Sequence, residues 1–518
     1  MKYEEYKQLD LTKIGEEIRA YWEHNETFEK GQRLAEGHPT FVFYDGPPSA
    51  NGKPGIHHVM ARTIKDVFCR YKSQKGFFVD RKAGWDTHGL PVELGVEKNL
   101  GITKEDIGKK ISVDEYNRAC RTEVLQYKDL WDELTKQMGY WVDLKHPYIT
   151  FDNEYIETLW YLLKQLYDKG LLYKGYTIQP FSPAAGTGLS SHELNMPGCY
   201  RDVKDTTCVA LFRLQDGQPL PFEVAEGEAV YAMAWTTTPW TLPSNTALCV
   251  GPSYDYCLVR TVNPYTAQPI DVILATDLVK SFFRLPEGAA VSVGLRSEAS
   301  PADFSVGYKE LPFEVVSICK GRELEGVRYE QLIPWVKPDG DAFRIILGDY
   351  VTTEDGTGIV HIAPTFGADD ARVAKKAGIA SLVMMDADGR RQPMVDRTGR
   401  FFRLEDLDAA WVEKCVDKEN YGKYAGKYVK NAYDPAKTEK DLSLDVELVV
   451  MLKEAGKLFK SEKHTHSYPH CWRTDKPVLY YPLDSWFVRT TAVRERLIEL
   501  NKEINWKPEA TGSGRFGN

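Results

Sequence analysis

The stretch that most limits what this chain can fold into is Tyr44-Asp45-Gly46-Pro47-Pro48-Ser49-Ala50-Asn51-Gly52-Lys53-Pro54-Gly55-Ile56-His57-His58. An apolar run before it, Phe41 to Tyr44, predicts a short buried strand. Gly46-Pro47-Pro48 stops that strand, because proline lacks the N–H a ladder needs and fixes its own φ. Gly52 and Gly55 let backbone approach something closely. Val59, Met60, Ile64, Val67, Phe68 and Tyr71 then recur at helical spacing. The order is strand, glycine-rich turn, helix, with His57 and His58 at the helix start. A helix N-terminus carries unpaired N–H groups and partial positive charge, which suits phosphate, and two imidazoles add donors. On these residues alone, a plain loop with two solvated histidines stands level with that reading, since glycine-rich loops are common.

A second frame, Gly84-Trp85-Asp86-Thr87-His88-Gly89-Leu90-Pro91-Val92-Glu93, follows another apolar run, Phe77-Phe78-Val79. With Tyr44-Asp45-Gly46-Pro47-Pro48 it makes a long and specific pair, and the chain resembles the class I aminoacyl-tRNA synthetases. Thr87-His88 and the later Tyr468-Pro469-His470-Cys471-Trp472-Arg473 resemble the isoleucyl branch. The resemblance runs through nearly the whole chain. It implies an α/β fold: a parallel, Rossmann-like nucleotide-binding sheet interrupted by an inserted, mainly β editing domain. The implied activity is ATP-dependent attachment of isoleucine to tRNA(Ile) through an aminoacyl-adenylate, with ATP and Mg2+ as substrate, hydrolytic editing of valyl-tRNA, and a monomeric enzyme.

Composition sets outer bounds. A chain of 518 residues is too long for one core, so two or more domains are expected. No run of about 18 apolar residues occurs, so no membrane span is expected, and Met1 to Glu5 has no apolar signal core. The nine cysteines are scattered, odd in number and without a Cys-x-x-Cys pair, which points to reduced thiols in a cytoplasmic setting. A net charge of -9 excludes a chain that is basic throughout, leaving any grip on RNA to a local patch.

Along the chain, Leu11, Ile14, Ile18 and Trp22 predict an amphipathic helix in an N-terminal extension, residues 1–39. From 40 to 198 strands and helices alternate, which implies a parallel sheet covered by helices, with ligand at the strands' carboxyl ends. Within it Ser112 and Glu115 form a capping box opening a helix that runs to Gly139, and a second helix runs from about Ile156 to Gly170. From Cys199 short apolar runs separated by Gly, Pro and Asp predict a mainly β insertion, 199–445. The span Asp445 to Phe459 reads helical. The catalytic domain is expected to resume over 446–518, with strands at Val478–Tyr481 and Trp486–Val488 and a last helix through Val493, Leu497 and Leu500.

The resemblance assigns a first site. His57 and His58 would be catalytic and ATP-binding, together with Gly46, Pro47 and Gly55, while Asp86 would bind the isoleucine ammonium beside the Gly46 and Pro47 backbone. An ionised carboxylate is a strong partner for an ammonium; a lone aspartate would more often be a helix cap. The family signature here is His-x-Gly-His, but this chain reads Gly55-Ile56-His57-His58, with the first histidine and the glycine exchanged. That exchange places a side chain where adenine packs, and is expected to weaken inhibitors spanning the adenylate pocket while admitting ATP.

A second site comes from Trp235-Thr236-Thr237-Thr238-Pro239-Trp240-Thr241-Leu242-Pro243-Ser244-Asn245, and from Gly356 to Pro364 leading to Gly367-Ala368-Asp369-Asp370. Hydroxyls both donate and accept, so the first segment can hold a water or a ribose oxygen. The resemblance makes these an editing pocket: Asp370 on the misattached amino acid's ammonium, with Thr237, Thr238, Thr241, Asn245 and His361 around it. Metal is not expected. Some synthetases of this kind hold zinc with two Cys-x-x-Cys pairs, and the matching positions read Ser182-Pro183-Ala184-Ala185 and Cys471-Trp472-Arg473-Thr474. No Lys-Met-Ser-Lys-Ser loop occurs, so the chain is expected to be the N-terminal part of a longer enzyme. The alternatives are a free-standing deacylase of mischarged tRNA and a non-catalytic binding protein.

Overall fold

The computed structural model describes residues 5–224, 227–300, 304–308 and 310–517. It divides into two compact units, Met1–Tyr173 with Trp486–Asn518, and Lys174–Ser485.

The first unit opens with α1 (Leu11–His24), whose first turn is capped by the Asp10 carboxylate accepting from the Lys13 N–H, and α2 (Thr27–Ala35). Then come α3 (Ile56–Gln74), β1 (Lys82–Trp85), α4 (Leu90–Leu100), α5 (Val113–Val124), α6 (Lys128–Gln137), β2 (Asp143–Ile149) and α7 (Asn153–Asp168). β1 and β2 pair in parallel, Gly84 opposite Tyr148 and Trp85 opposite Ile149. Parallel neighbours need a crossover, and α4, α5 and α6 supply it. Ala50, Trp85 and Trp131 form a small buried cluster at the strand ends.

Three local expectations are corrected here. Phe41 to Tyr44 is not a buried strand: Thr40 makes one parallel bridge to Phe78, while Val42 is 63% and Tyr44 89% exposed. A strand exists only where a partner takes its N–H and C=O groups, and Phe78 is the one residue that bridges here. The helix capped by Ser112 and Glu115 does form its capping box, but it ends at Val124 and restarts as α6. The interruption has a cause: the Tyr127 N–H donates to the Ala50 carbonyl at 3.0 Å, drawing the chain toward the glycine-rich loop. Finally, α3 forms as expected but turns its apolar stripe outward. Met60, Ile64, Val67 and Phe68 are exposed, and the residues it buries are Arg62 and Cys69.

The second unit is entered through β3 (Leu172–Ser182) and left through β16 (Leu479–Val488), which pair with each other; β4 (Thr187–Gly188) and the single turn α8 (Ser191–Leu194) follow β3. Its body is a mixed sheet of nine strands: β5 (Tyr200–Arg213), β6 (Val230–Thr236), β7 (Ala247–Val250), β8 (Asp255–Val262), β9 (Pro269–Ala275), β10 (Glu314–Lys320), β11 (Arg344–Leu347), β12 (Ile359–Ile362) and β15 (Leu458–Pro469). The order is β10-β8-β9-β6-β12-β7-β11, with β5 on β6 and β15 on β5. Near-continuous apolar runs such as Cys257–Val259 and Val272–Ala275 belong to strands with both faces covered, and these residues are fully buried. Around the sheet lie α9 (Ala368–Ala377), β13 (Met384–Met385), β14 (Arg391–Gln392), α10 (Ala409–Cys415), α11 (Lys418–Gly422) and α12 (Leu444–Glu454). α12 stops short of the predicted end, because Gly456 at φ +69° turns the chain and Phe459 joins β15. The unit is wider than the 199–445 texture, since β15 pairs with β5 from Leu458↔Ala210 to Pro469↔Tyr200. The chain then returns to the first unit with α13 (Arg494–Glu503).

Gly84 links strand pairing to the loop that follows Tyr44. A Cβ there would lie 2.2 Å from Tyr148 Cζ, and the Tyr148 hydroxyl donates to the Asp45 carbonyl at 2.8 Å. Gly84→Ala is expected to destabilise the first unit by about 1–3 kcal/mol through this overpacking. Chemical unfolding followed by tryptophan fluorescence measures it, and an unchanged midpoint would contradict the packing described.

Candidate active sites

In the first unit, loop 45–55 is held by its carbonyls. Asp45 O accepts from Tyr148 Oη at 2.8 Å, Pro48 O from the Asp86 N–H at 2.9 Å, Ala50 O from the Tyr127 N–H at 3.0 Å, and Gly52 O from Trp131 Nε1 at 2.8 Å. Every one of these donors belongs to the scaffold of β1, α6, β2 and their flanks. Of the amides of Ser49, Asn51, Gly52 and Lys53, that of Gly52 points back at Ser49 across the turn at residues 50–51, and the other three find no protein acceptor among the described residues. These four residues line a cleft of 370 Å³ together with Gly46, Pro48, His58, Ala61, Arg62, Lys65 and Trp131.

Gly55 caps α3, and His58 is the third residue of the helix. His58 Nδ1 accepts from the Gly55 N–H at 2.9 Å, so the ring proton of the neutral imidazole sits on Nε2. Burial holds its pKa below the usual histidine value, with His57 and Arg62 adding to the effect. His58 is thus a neutral donor lining the cleft. His57 lies against it, ring centroids 3.7 Å apart, and also covers Gly55: a Cβ at position 55 would be 2.9 Å from His57 Cε1. The close approach anticipated at Gly55 is therefore to the chain's own His57 ring. At Gly46 and Gly52 a Cβ would meet no atom within 4 Å.

Asp86 follows β1 and is exposed; its Oδ1 is 3.4 Å from the His88 N–H. It caps no helix, since α4 starts after Gly89. The neighbouring Thr87 and His88 are fastened to Thr150 beyond β2, through Thr87 N–H at 2.9 Å and His88 Nδ1 at 3.1 Å. The Asp86–Pro48 bond ties the two sequence frames together, so Gly46, Pro47, Asp86, Gly55, His57 and His58 share one end of this unit.

Three cations of the cleft, Lys53, Arg62 and Lys65, were not singled out from sequence. The signal was available: 58, 61, 62 and 65 follow helical spacing from His58 and fall on one face of α3.

In the second unit, the threonine segment meets the end of β12. It forms a short 3-10 helix, Pro239–Ser244. The Thr241 hydroxyl donates to Thr238 O at 2.8 Å and lies 3.0 Å from His361 Nε2. With its own proton so placed, Thr241 accepts from the ring, which fixes the His361 proton on Nε2. His361 Nδ1 is left buried and without a partner, and burial pushes the ring's pKa down to about 4. Two residues on, the Ala363 N–H donates to Asp370 Oδ2 at 2.9 Å. Burial, helped by Asp369, pushes the Asp370 carboxyl up to about 6. Gly367 leaves room for it, since a Cβ there would be 2.6 Å from Asp370 Cγ. Thr237 and Thr238 are half-buried beside this group. Asn245 differs from the expectation: its Oδ1 accepts from Tyr329 Oη at 2.7 Å and its Nδ2 donates to Ala247 O at 2.8 Å. Its amide therefore faces the core, because the buried Tyr329 phenol needs a partner there.

The profile "tRNA synthetases class I (I, L, M and V)" matches residues 17–518. The chain belongs to the class I tRNA synthetases. It is similar to proteins named isoleucine--tRNA ligase, at 64% identity over 100% of this chain in Porphyromonas gingivalis. The same name is carried by relatives in Cytophaga hutchinsonii, 57% identical over 100% of the chain, and Clostridium tetani, 40% identical over 99%. The chain spans 44%, 45% and 42% of the length of these three relatives. Among solved structures, GlLeuRS-CP1 matches 50% of this chain and 100% of its own at 15% identity, with a TM-score of 0.29, too slight a likeness to bear on the fold.

The residues of this class I tRNA synthetase do not suit the family's all-thiolate zinc site. Ser182 offers a hydroxyl, which accepts from the Ala185 N–H at 3.2 Å, where that site needs a thiolate, and Cys471 is one thiol where four are required. His464 packs on Trp235, His466 meets Asp205 at 3.2 Å and His470 meets Tyr468 O at 3.0 Å. Among the described residues no group of three or more His, Cys, Asp or Glu is placed to hold a metal.

The two titrating groups of the second site act in opposite directions. His361 has a folded pKa below its unfolded one, so the unfolded chain takes up the proton first and stability falls as pH drops from about 6.5 toward 4. Asp370 has a folded pKa above its unfolded one, so it adds stability at low pH that is lost as pH rises through about 6. His361→Gln is expected to flatten the acid-side fall of the thermal midpoint, and Asp370→Asn to steepen it. Thermal scans between pH 4 and 7 check both signs, and identical profiles for the two variants would refute the assignment.

Proposed function

We propose that this chain carries the adenylate-forming site and the editing site of an isoleucine--tRNA ligase. Isoleucine, ATP with Mg2+ and tRNA(Ile) are its substrates in the cytoplasm, and the working enzyme is a monomer. In this reading the first unit is the Rossmann-like catalytic domain, and the second holds the inserted editing domain. The relatives' name supports the substrate. The observation that carries the chemistry is a cleft lined both by the neutral His58 and by loop residues whose carbonyls are tethered to the scaffold.

Activation requires the isoleucine carboxylate to attack the α-phosphate of ATP, forming the acyl–phosphate bond while pyrophosphate leaves with the electron pair. Little of this needs covalent help from the protein; it needs alignment and stabilisation of charge on phosphate oxygens. Loop amides 49–53 and the start of α3 supply fixed N–H dipoles. His58 Nε2–H supplies a donor that need not change protonation. Asp86 holds the amino acid's ammonium, presented beside the Gly46 and Pro47 backbone. Gly55 and His57 shape the adenine side.

Editing answers a limit of the first site. One methylene in an apolar pocket is worth about 1–3 kcal/mol, a figure for which isoleucine against valine in this enzyme class is the standard example. A second pocket that admits valine and excludes isoleucine removes the error. Asp370 takes the valyl ammonium, and Thr237, Thr238, Thr241 and His361 orient the ester and the attacking water, while Asn245 steadies the threonine segment from behind.

Two outcomes check this in the intact enzyme. His58→Ala should lower isoleucine-dependent ATP–pyrophosphate exchange by roughly 10²–10³-fold, the usual loss for a donor to developing charge; unchanged exchange would contradict its role. Asp370→Ala should let valyl-tRNA(Ile) accumulate at undiminished exchange. Undiminished deacylation would contradict that assignment.

A further inference from the structure

Arg62 is 7% exposed and yet makes no salt bridge among the described residues; Asp45 and Asp132 act on its charge only from beyond contact distance. Its Nη1 donates to the Thr135 hydroxyl, and its guanidinium lies over the rings of Trp131, 5.2 Å from the centroid, and Tyr140, 5.7 Å away. Among the described residues no carboxylate stands within ion-pair distance of it. Asp45 is held by Lys65, and Asp132 by Lys128 at 2.5 Å. An arginine does not escape burial by losing its proton. A buried cation without a counter-charge is among the less stable arrangements a fold can keep.

The surroundings say what would balance it. Arg62 lines the cleft beside Lys65, Lys53 and the neutral His58, so three cations border a space whose lining holds no carboxylate, and among the described residues only Lys65 of the three is paired, with Asp45. Ser49, Asn51 and Lys53, whose amides find no protein acceptor among the described residues, border the same space. A planar guanidinium matches two oxygens of one phosphate, and a row of amides matches the next. We propose that Arg62 anchors the oligophosphate end of the ligand in this cleft, with Lys53 closing over it from the mouth. It is a positioning residue for the leaving pyrophosphate, an inference that rests on the nucleotide reading given above. The chemistry recognised is a chain of two or three phosphates, whether on a nucleoside or free.

The test uses this chain as it stands, with sodium tripolyphosphate and ATP as separate probes in titration calorimetry. Arg62→Met should weaken tripolyphosphate binding roughly 10–150-fold, the equivalent of one charge-assisted hydrogen bond. Arg62→Lys should restore part of it, and Lys53→Glu, at an exposed residue, should weaken it while the fold is untouched. A folded Arg62→Met that binds tripolyphosphate like the parent overturns the inference. Should that variant not fold, phenylglyoxal labelling of the parent decides: tripolyphosphate shields Arg62 if it is the anchor, and unchanged labelling overturns it. ATP competing with tripolyphosphate supports both readings. Arg62-dependent tripolyphosphate binding that ATP does not displace keeps the anchor and defeats the nucleotide reading. ATP binding that needs His58 but ignores Arg62 does the reverse.

Discussion

The first site depends on which way a loop's peptide groups point. Between Asp45 and Gly55 the scaffold takes carbonyls, at Asp45, Pro48, Ala50 and Gly52, and leaves amides. A peptide cannot turn its C=O inward without turning its N–H outward, so the tethering also makes the donor array. Each tether comes from a different place: a tyrosine on β2, the residue after β1, the break before α6, and an indole within α6. That is why the predicted long helix has to break at Tyr127. The interruption lets a backbone N–H reach Ala50.

The exchange within Gly55-Ile56-His57-His58 has a local logic as well. The His57 ring folds back over position 55, which admits no Cβ, so the glycine and the ring depend on each other. Burial, with His57 and Arg62, holds His58 in its neutral form, and the Gly55 amide on Nδ1 sets which nitrogen keeps the proton. The second site shows the same principle with other atoms. Thr241 gives its proton to Thr238 O, which fixes the tautomer of His361 and leaves Nδ1 bare inside the protein. An unsatisfied buried acceptor is rare and calls for a partner, from a ligand or from water.

Much of this was legible in the sequence. The β texture from Cys199 onward, the capping box at Ser112 and the helix ending at Gly170 rest on local rules, and local rules were enough, whereas the pairing of the two frames came from the family resemblance. What sequence did not disclose depended on partners. Phe41 to Tyr44 has strand composition but only one bridging neighbour. The apolar stripe of α3 has helical period, yet the face it buries is the one bearing Arg62, because period gives spacing and not direction. Asn245 looked like a pocket residue until Tyr329, 84 positions away, took its amide oxygen. Lys53, Arg62 and Lys65 lay in plain view beside the histidines, but no single one of them makes a motif.

On the proposed reading, loop 45–55 offers its amides, not its carbonyls, to a nucleotide. A crystal structure of this chain with a non-hydrolysable ATP analogue tests it directly. The expected result is phosphate oxygens within hydrogen-bond distance of the amides of Ser49, Asn51 and Lys53, with His58 Nε2 turned toward the phosphates. Phosphates bound elsewhere, or a loop whose carbonyls swing into the cleft, would contradict it.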